Sequence, residues 1–121
     1  MFGDDRMRIL AQMMDVAALR AQVHAANLAN QNTPGYKAKA VAFEDAFRAA
    51  LEAGGPDEAA EVSPEVIEPR DTPVQADGND VSIDREIIDA AKNQTLYDAY
   101  IAMARGKLRL INVAASSAPG G

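Results

Sequence analysis

The residues of this sequence whose identity and placement most clearly indicate a specific chemical role are asparagine and glutamine, whose side-chain amides can form hydrogen bonds. Four amide side chains fall within six residues near the end of a predicted helix: Asn27, Asn30, Gln31 and Asn32. Asn27 and Asn30 stand one turn apart inside the helix, where Asn is a poor helix former, and one interpretation is that they hydrogen-bond to another chain or across a tight corner. The alternative is an ordinary helix C-cap followed by a Pro-Gly turn. Either way, the chemistry indicated is structural hydrogen bonding.

The titratable candidates for catalysis or metal binding are weaker. His24 is the single imidazole, and no carboxylate near it in sequence has a spacing typical of a catalytic or metal site, so we predict a structural or surface histidine. The run Asp77-Gly78-Asn79-Asp80 suggests a calcium loop. However, Val81, Ser82 and Ile88 stand at its fifth, sixth and twelfth positions, where a ligand, Gly and Glu are required. We predict instead a turn that leads into an N-cap at Ser82.

Composition excludes several classes of function. The chain has 121 residues, no Cys, no Trp and a formal net charge of −6. These counts exclude disulfide scaffolds and Cys-based zinc sites, and the acidity disfavours nucleic-acid binding. No Gly-rich phosphate loop and no apolar run of ~18 residues occur. We therefore predict a protein that is not an enzyme, with no cofactor, no metal and no small-molecule substrate. The N-terminus lacks the features of a secretory signal, so export would need a route without a cleaved signal.

Two long amphipathic helices are predicted at the ends of the chain. The first spans about residues 5–31 and has apolar positions spaced alternately four and three apart, namely Met7, Ala11, Met14, Ala18, Ala21, Ala25 and Leu28. Pro34-Gly35 ends it in a type II turn, with Gly35 at positive φ. The second begins after Ser82 and repeats the same spacing through Ile83, Ile87, Ala90, Gln94, Tyr97, Ile101, Ala104, Leu108, Ile111 and Ala115. We refer to these two sets as the N-terminal and C-terminal seams.

The segment between the helices is acidic and rich in Pro and Gly. Residues 52–80 carry nine acidic residues and one basic residue, a net charge of −8, and most of this stretch is typical of a solvated connector. A short helix is predicted near 43–53, ended by Gly54-Gly55. The predicted organisation is an N-terminal helix and Asn-rich corner, a connector, a C-terminal core helix and a disordered tail, over residues 1–35, 36–80, 81–115 and 116–121.

The predicted fold class is all-α. The two terminal helices pack as a coiled-coil hairpin, joined by the acidic Pro-rich connector. Much of the apolar content is Ala, and the chain has only three Phe and three Tyr, so a single copy buries a thin core. We therefore expect a marginal monomer whose hairpin is completed by neighbouring subunits.

The corner motif resembles the N-terminal signature of the flagellar rod, hook and hook-filament axial proteins. In that signature a helix ends in Asn-x-Ala-Asn, followed shortly by Thr-Pro-Gly-Tyr. The matching residues are Asn27, Ala29, Asn30, Thr33, Pro34, Gly35 and Tyr36. The C-terminal part is similar to the B-type proximal rod proteins at Asp77–Val81, Asp84–Glu86, Lys92–Gln94 and Tyr97. The chain departs from the family in its acidic middle, a slightly short N-terminus and a tail without a counterpart.

This resemblance implies a structural subunit of the proximal rod of the bacterial flagellar basal body, in the periplasm. Such subunits are exported by the flagellar type III apparatus without a cleaved signal, and they are labile as monomers. Their terminal helices form a tubular drive shaft that transmits torque and encloses the export channel. The implied partners are other copies of the chain, the C-type proximal rod protein, the adaptor between MS ring and rod, and the MS ring. The seams would form the tube wall, and the corner motif would fix subunit geometry.

A second interpretation belongs to a different class of function. The same helices would suit a cytoplasmic helical adaptor or export chaperone that folds as a stable dimeric hairpin. A protein of that kind would melt cooperatively in isolation, with both helices fully protected.

Overall fold

The computed structural model of the chain describes residues 2–116. Three helices and two short strands follow one another as α1 (Phe2–Ala29), β1 (Ala40–Ala42), α2 (Glu44–Ala59), β2 (Glu65–Ile67) and α3 (Ile83–Ser116). The predominance of helix confirms the predicted all-α class. Of the predicted tail at 116–121, only Ser116 is described, as the last residue of α3; the rest lies outside the described residues.

The two terminal helices pack antiparallel against each other. Near the start of α3, Glu86 hydrogen-bonds to Asn27, close to the end of α1. Further along, Nδ2 of Asn93 donates to the carbonyl oxygen of Ala17 at 2.8 Å. This order confirms the predicted helical hairpin. At a rise of 1.5 Å per residue, the 34 residues of α3 extend for about 51 Å.

The segment between the hairpin helices is more ordered than the sequence indicates. Instead of ending at Gly54-Gly55, α2 bends at Gly55, where φ is +79°, and continues to Ala59. The reason is a contact with α1, because Nε2 of Gln12 donates to the carbonyl oxygens of Ala59 and Val62, each at 2.9 Å. Ala59 itself is fully buried. Packing on α1 therefore holds the second half of α2 in place.

Two parts of the connector, β1 and β2, pair as a two-stranded antiparallel sheet that was not predicted from the sequence. In its register Ala40 faces Ile67, Val41 faces Val66 and Ala42 faces Glu65. Three-residue strands are too short for an alternation of apolar and polar residues to be recognised. The sheet brings β1 against α1 and leaves β2 on the outside, where all three of its residues are exposed.

The apolar core is small and lies between α1, β1 and the start of α2. Its buried members are Val16, Val23, Val41 and Phe43, with Met13, Leu19, Phe47 and Val62 packed against them. The rings of Phe43 and Phe47 lie 5.4 Å apart between centroids. No other apolar cluster of buried side chains is found in residues 5–116. Such a core is thin for a domain of this length.

Within residues 2–116, none of the three helices combines the length and the apolar character needed to cross a membrane.

Candidate functional site

The corner after α1 is built on the predicted type II turn. The amide of Tyr36 donates to the carbonyl oxygen of Thr33 at 3.2 Å, and Gly35 has φ of +76°. Both features are those of a turn with Pro at its second position and Gly at its third. The amide of Gly35 points out of the turn and donates to the carbonyl oxygen of Asp77 at 2.8 Å. The first turn is thereby fixed against the turn that precedes α3.

Asn27 occupies the centre of the corner and is fully buried. Its Oδ1 accepts from the amide of Lys39 at 3.0 Å and from the hydroxyl of Tyr36 at 3.3 Å. Its Nδ2 donates to the carbonyl oxygen of Lys39 at 2.8 Å and to Oε1 of Glu86 at 2.7 Å. The side chain therefore uses both its donors and both acceptor positions within one chain. Of the interpretations left open above, hydrogen bonding across a tight corner describes Asn27.

Asn30 follows the other interpretation, that of an ordinary helix end. Its Nδ2 donates to the carbonyl oxygen of Ala26 at 2.8 Å, and its Oδ1 accepts from the hydroxyl of Thr33 at 3.0 Å. These local bonds satisfy groups that are left unpaired where α1 stops. The two asparagines of the motif thus have different functions, although they stand three residues apart.

Asn79 in the turn before α3 joins the two motifs. It is fully buried, and its Nδ2 donates to the carbonyl oxygens of Asn30 and Thr33 at 2.9 and 2.8 Å. Its Oδ1 accepts from the amide of Val81 at 2.8 Å. The sequence gives no sign that Asn79 is a hydrogen-bonding centre, because Asn30 and Thr33 lie more than 40 residues away from it.

Asp80, the next residue, is also buried and is committed to the same corner. Its Oδ1 accepts from the amide of Ala38 at 2.6 Å, and its own amide donates to the carbonyl oxygen of Tyr36 at 3.2 Å. The carboxylate serves the backbone here, as expected of a turn and not of a calcium loop. Among the described residues, no group of His, Cys, Asp and Glu could hold a metal ion. The predicted N-cap at Ser82 is present, since its Oγ accepts from the amide of Arg85 at 3.4 Å.

His24 has a carboxylate neighbour that the sequence analysis missed. Its Nδ1 lies 2.9 Å from Oε1 of Glu86, and both side chains are largely buried. The same Oε1 also accepts a hydrogen bond from Nδ2 of Asn27. Proximity in sequence could not reveal this contact, because 62 residues separate the two partners. The sequence nonetheless marks Glu86 as a residue of interest, because it belongs to the Asp84–Glu86 match to the B-type proximal rod proteins.

Arg20 and Arg85, together with Arg8 through its ion pair with Glu61, fasten the middle segment to the hairpin helices. Arg20 on α1 donates to both carboxylate oxygens of Glu44 and to the carbonyl oxygen of Val41. Its hydrogen bonds lower the pKa of Glu44, and the same contact raises the pKa of Arg20. Arg85 on α3 binds both oxygens of Asp71 at 2.9 and 3.0 Å, which lowers the pKa of that carboxyl. Paired arginine–carboxylate bonds of this kind fix geometry well.

The two predicted seams lie largely outside the intrachain packing. On α1 the buried positions are Val16, Ala17, Val23 and Asn27. The N-terminal seam is half-buried at Met7, Met14 and Leu28 and exposed at Ala11, Ala18, Ala21 and Ala25. The C-terminal seam is half-buried at Ala90, Tyr97, Ile101 and Ala104 and exposed at Ile83, Ile87, Gln94, Leu108, Ile111 and Ala115. The role of the seams in assembly stays a prediction.

The fold and this corner define a helical structural protein, a hairpin whose two arms are tied together by buried amides. The residues that the corner brings together come from two short motifs. One motif lies after the N-terminal helix and the other lies before the C-terminal helix.

Comparison with known proteins agrees with this class. The chain is 32% identical over 107 residues to the flagellar basal body rod protein FlgB of Bacillus subtilis, covering 81% of this chain and 83% of the relative. The protein of the same name from Escherichia coli is 27% identical over 129 residues, covering 91% and 93%. One from Yersinia ruckeri is 24% identical over 123 residues. No family model matches the chain. Because the Bacillus subtilis relative is 32% identical over most of both chains, the chain belongs to the FlgB family of flagellar basal body rod proteins.

Proposed function

We propose that this chain is a structural subunit of the proximal rod of the flagellar basal body. Its terminal helices assemble into a tubular shaft that transmits torque and encloses the export channel. The observation that carries this proposal is the exposed apolar surface of α3, where Ile87 is 54% and Leu110 is 71% exposed. Ile83, Ile88, Leu96, Met103, Leu108 and Ile111 share this exposure. A surface this apolar along a helix of about 51 Å marks a site of protein association.

The partners and location of the proposed subunit follow from the same assignment. Other copies of the chain would cover the C-terminal seam, together with the C-type proximal rod protein, the adaptor between MS ring and rod, and the MS ring. The chain reaches the periplasmic rod through the flagellar type III apparatus, without a cleaved signal. Its work is mechanical and not enzymatic, and the buried side chains of Asn79 and Asp80 at the corner are occupied in holding backbone.

Basal bodies extracted with detergent from the native cell provide the direct test. The chain should be found in the rod fraction. An adaptor or export chaperone would remain in the cytoplasm while basal bodies were complete, and that result would refute the proposal.

A substitution on the C-terminal seam sharpens this test. Ile87→Asp places a charge on an exposed position and should leave the helical content of the isolated chain and its export unchanged, yet exclude the chain from the rod. Ile101 is less suitable because it is half-buried within the hairpin. Ala99→Asp, at an exposed position of α3 outside the seam, is the matched control and should enter the rod normally. Equal incorporation of both variants would show that the seam has no part in assembly.

A further inference from the structure

An open apolar groove lies between the hairpin arms, beyond the small core. It has a volume of about 440 Å³ and is lined by Ile9, Leu10, Met13, Tyr100 and Met103, with Arg6 and Lys107 alongside. We call these seven residues the hairpin groove. Because the helices run antiparallel, Arg6 and Lys107 lie together at the end of the groove nearest the start of α1.

The α3 side of the groove is positively charged. From residue 99 to residue 116, α3 carries Arg105, Lys107 and Arg109 and no acidic residue. Within residues 5–116, the ion pairs include neither Arg6 nor Lys107. An occupant of this groove would therefore need an apolar surface beside carboxylates.

The same chain presents such a surface elsewhere. Residues 65–68 read Glu-Val-Ile-Glu, and we call them the acidic β2 segment. Ile67 is 37% exposed and shares one face of the strand with Glu65, because successive side chains of a strand point to opposite faces and Val66 lies on the same face as its partner Val41. In the described part of the chain, β2 pairs with β1 alone, so its second edge is open to a partner. Glu65 takes part in no ion pair within residues 5–116, whereas Glu68 lies 3.0 Å from Arg70.

We propose that the acidic β2 segment of one copy docks in the hairpin groove of the next. None of residues 65–68 lines the groove of its own chain, so the two complementary surfaces meet only between copies. Contact between two different patches of identical chains repeats from copy to copy and builds a ring or an open helical array. The inference rests on the proposed rod function for its setting and names one contact that such an assembly would use.

Disulfide cross-linking between copies tests the contact directly, because the natural chain has no Cys. Ile67→Cys and Met103→Cys are made in separate chains and co-expressed, so that a bond between positions 67 and 103 can form only between copies. We expect a cross-linked dimer of the two variants in oxidised basal bodies. The control pairs Ile67→Cys with Leu96→Cys, an exposed position of α3 outside the groove, and should give little dimer.

A charge exchange provides a second test that does not depend on the cysteines. Lys107→Glu and Glu65→Lys should each weaken self-association at least about tenfold, which corresponds to 1.4 kcal/mol. The double variant should recover most of that loss, because every contact between copies then carries the reversed pair. Circular dichroism of each variant establishes that the helices are retained.

The outcomes separate this inference from the proposed function. If the chain is found in the rod but neither the cross-link nor the charge recovery is seen, the groove contact is wrong and the rod function stands. Equal cross-linking with the Leu96→Cys control also contradicts the contact. If the specific cross-link forms in purified protein while the chain is absent from rods, the contact stands and the rod function fails.

Discussion

Oε1 of Glu86 on α3 lies 2.7 Å from Nδ2 of Asn27 on α1, although 59 residues separate them in sequence. Both side chains are buried. A buried amide or carboxylate left without a partner carries a desolvation penalty of about 1–3 kcal/mol or more. The corner of α1 and the start of α3 are therefore stable only together. We infer that the two arms of the hairpin fold as one cooperative unit.

Replacing Asn27 by Ala tests this cooperativity. The substitution leaves the backbone groups of Lys39 and the hydroxyl of Tyr36 without their partner. It also removes one of the two partners of the Glu86 carboxylate. We expect the free energy of unfolding to fall by about 3 kcal/mol or more, with α1 and α3 lost in one transition. Urea denaturation followed by circular dichroism measures it. Asn32→Ala, at an exposed amide of the same cluster, should change the free energy by less than about 0.5 kcal/mol. Equal effects would show that Asn27 has no special role.

Asn79→Asp tests the link between the two motifs with almost no change of shape. The new carboxylate has no donor for the carbonyl oxygens of Asn30 and Thr33, and it buries a charge that faces both of them. We expect a loss of about 3 kcal/mol or more in the free energy of unfolding, measured by thermal or urea melting at neutral pH. The reverse exchange, Asp77→Asn, keeps the acceptor for the amide of Asn79 and should have little effect. A fully stable Asn79→Asp variant would contradict the assigned geometry.

The main elements of the fold could be predicted from the sequence because they depend on local patterns. The four-three spacing of apolar residues predicts both long helices, and Pro34-Gly35 predicts the turn between Thr33 and Tyr36. The second half of α2 and the β1–β2 pair could not be predicted, because they depend on contacts with α1. Gln12 holds the carbonyl oxygens after the Gly55 bend, and nothing near residue 55 indicates this.

Only part of the candidate site could be predicted from the sequence. The amide cluster pointed to Asn27, since an amide inside a helix suggests a partner for its side chain. Asn79 looks like an ordinary turn residue, and Glu86 like an acidic residue in a favourable first turn. Their buried roles arise only when residues more than 40 positions apart meet. The resemblance at Asp77–Val81 and Asp84–Glu86 marked these segments without indicating what they bind.

Gly78→Ala should destabilise the corner through its backbone. Gly78 has φ of +86°, and a Cβ there would lie 3.3 Å from the Cα of Gly35. The left-handed conformation alone costs a residue with a Cβ about 1–2 kcal/mol, and the close contact adds to it. Gly106→Ala makes the same change inside α3, where a Cβ meets nothing within 4 Å, and should stabilise the helix by up to about 1 kcal/mol. Opposite shifts in melting temperature are therefore expected. A shift in the same direction for both would exclude backbone conformation as the cause.

The bond between Arg20 and Glu44 should make part of the stability depend on pH. Arg20 holds the pKa of Glu44 below its ordinary value of about 4.3. The ionised carboxylate therefore stabilises the fold above that value, and the contribution is lost as pH falls through the lowered pKa. Because 58% of the Glu44 side chain is exposed, we expect this contribution to the free energy of unfolding to be no more than about 1 kcal/mol.

The measurement is the free energy of unfolding between pH 7 and pH 3 for the natural chain and for Glu44→Gln. The difference between the two should shrink as the pH falls, because protonation removes the charge that the variant already lacks. A difference that grew on acidification would mean that the folded protein raises the pKa of Glu44.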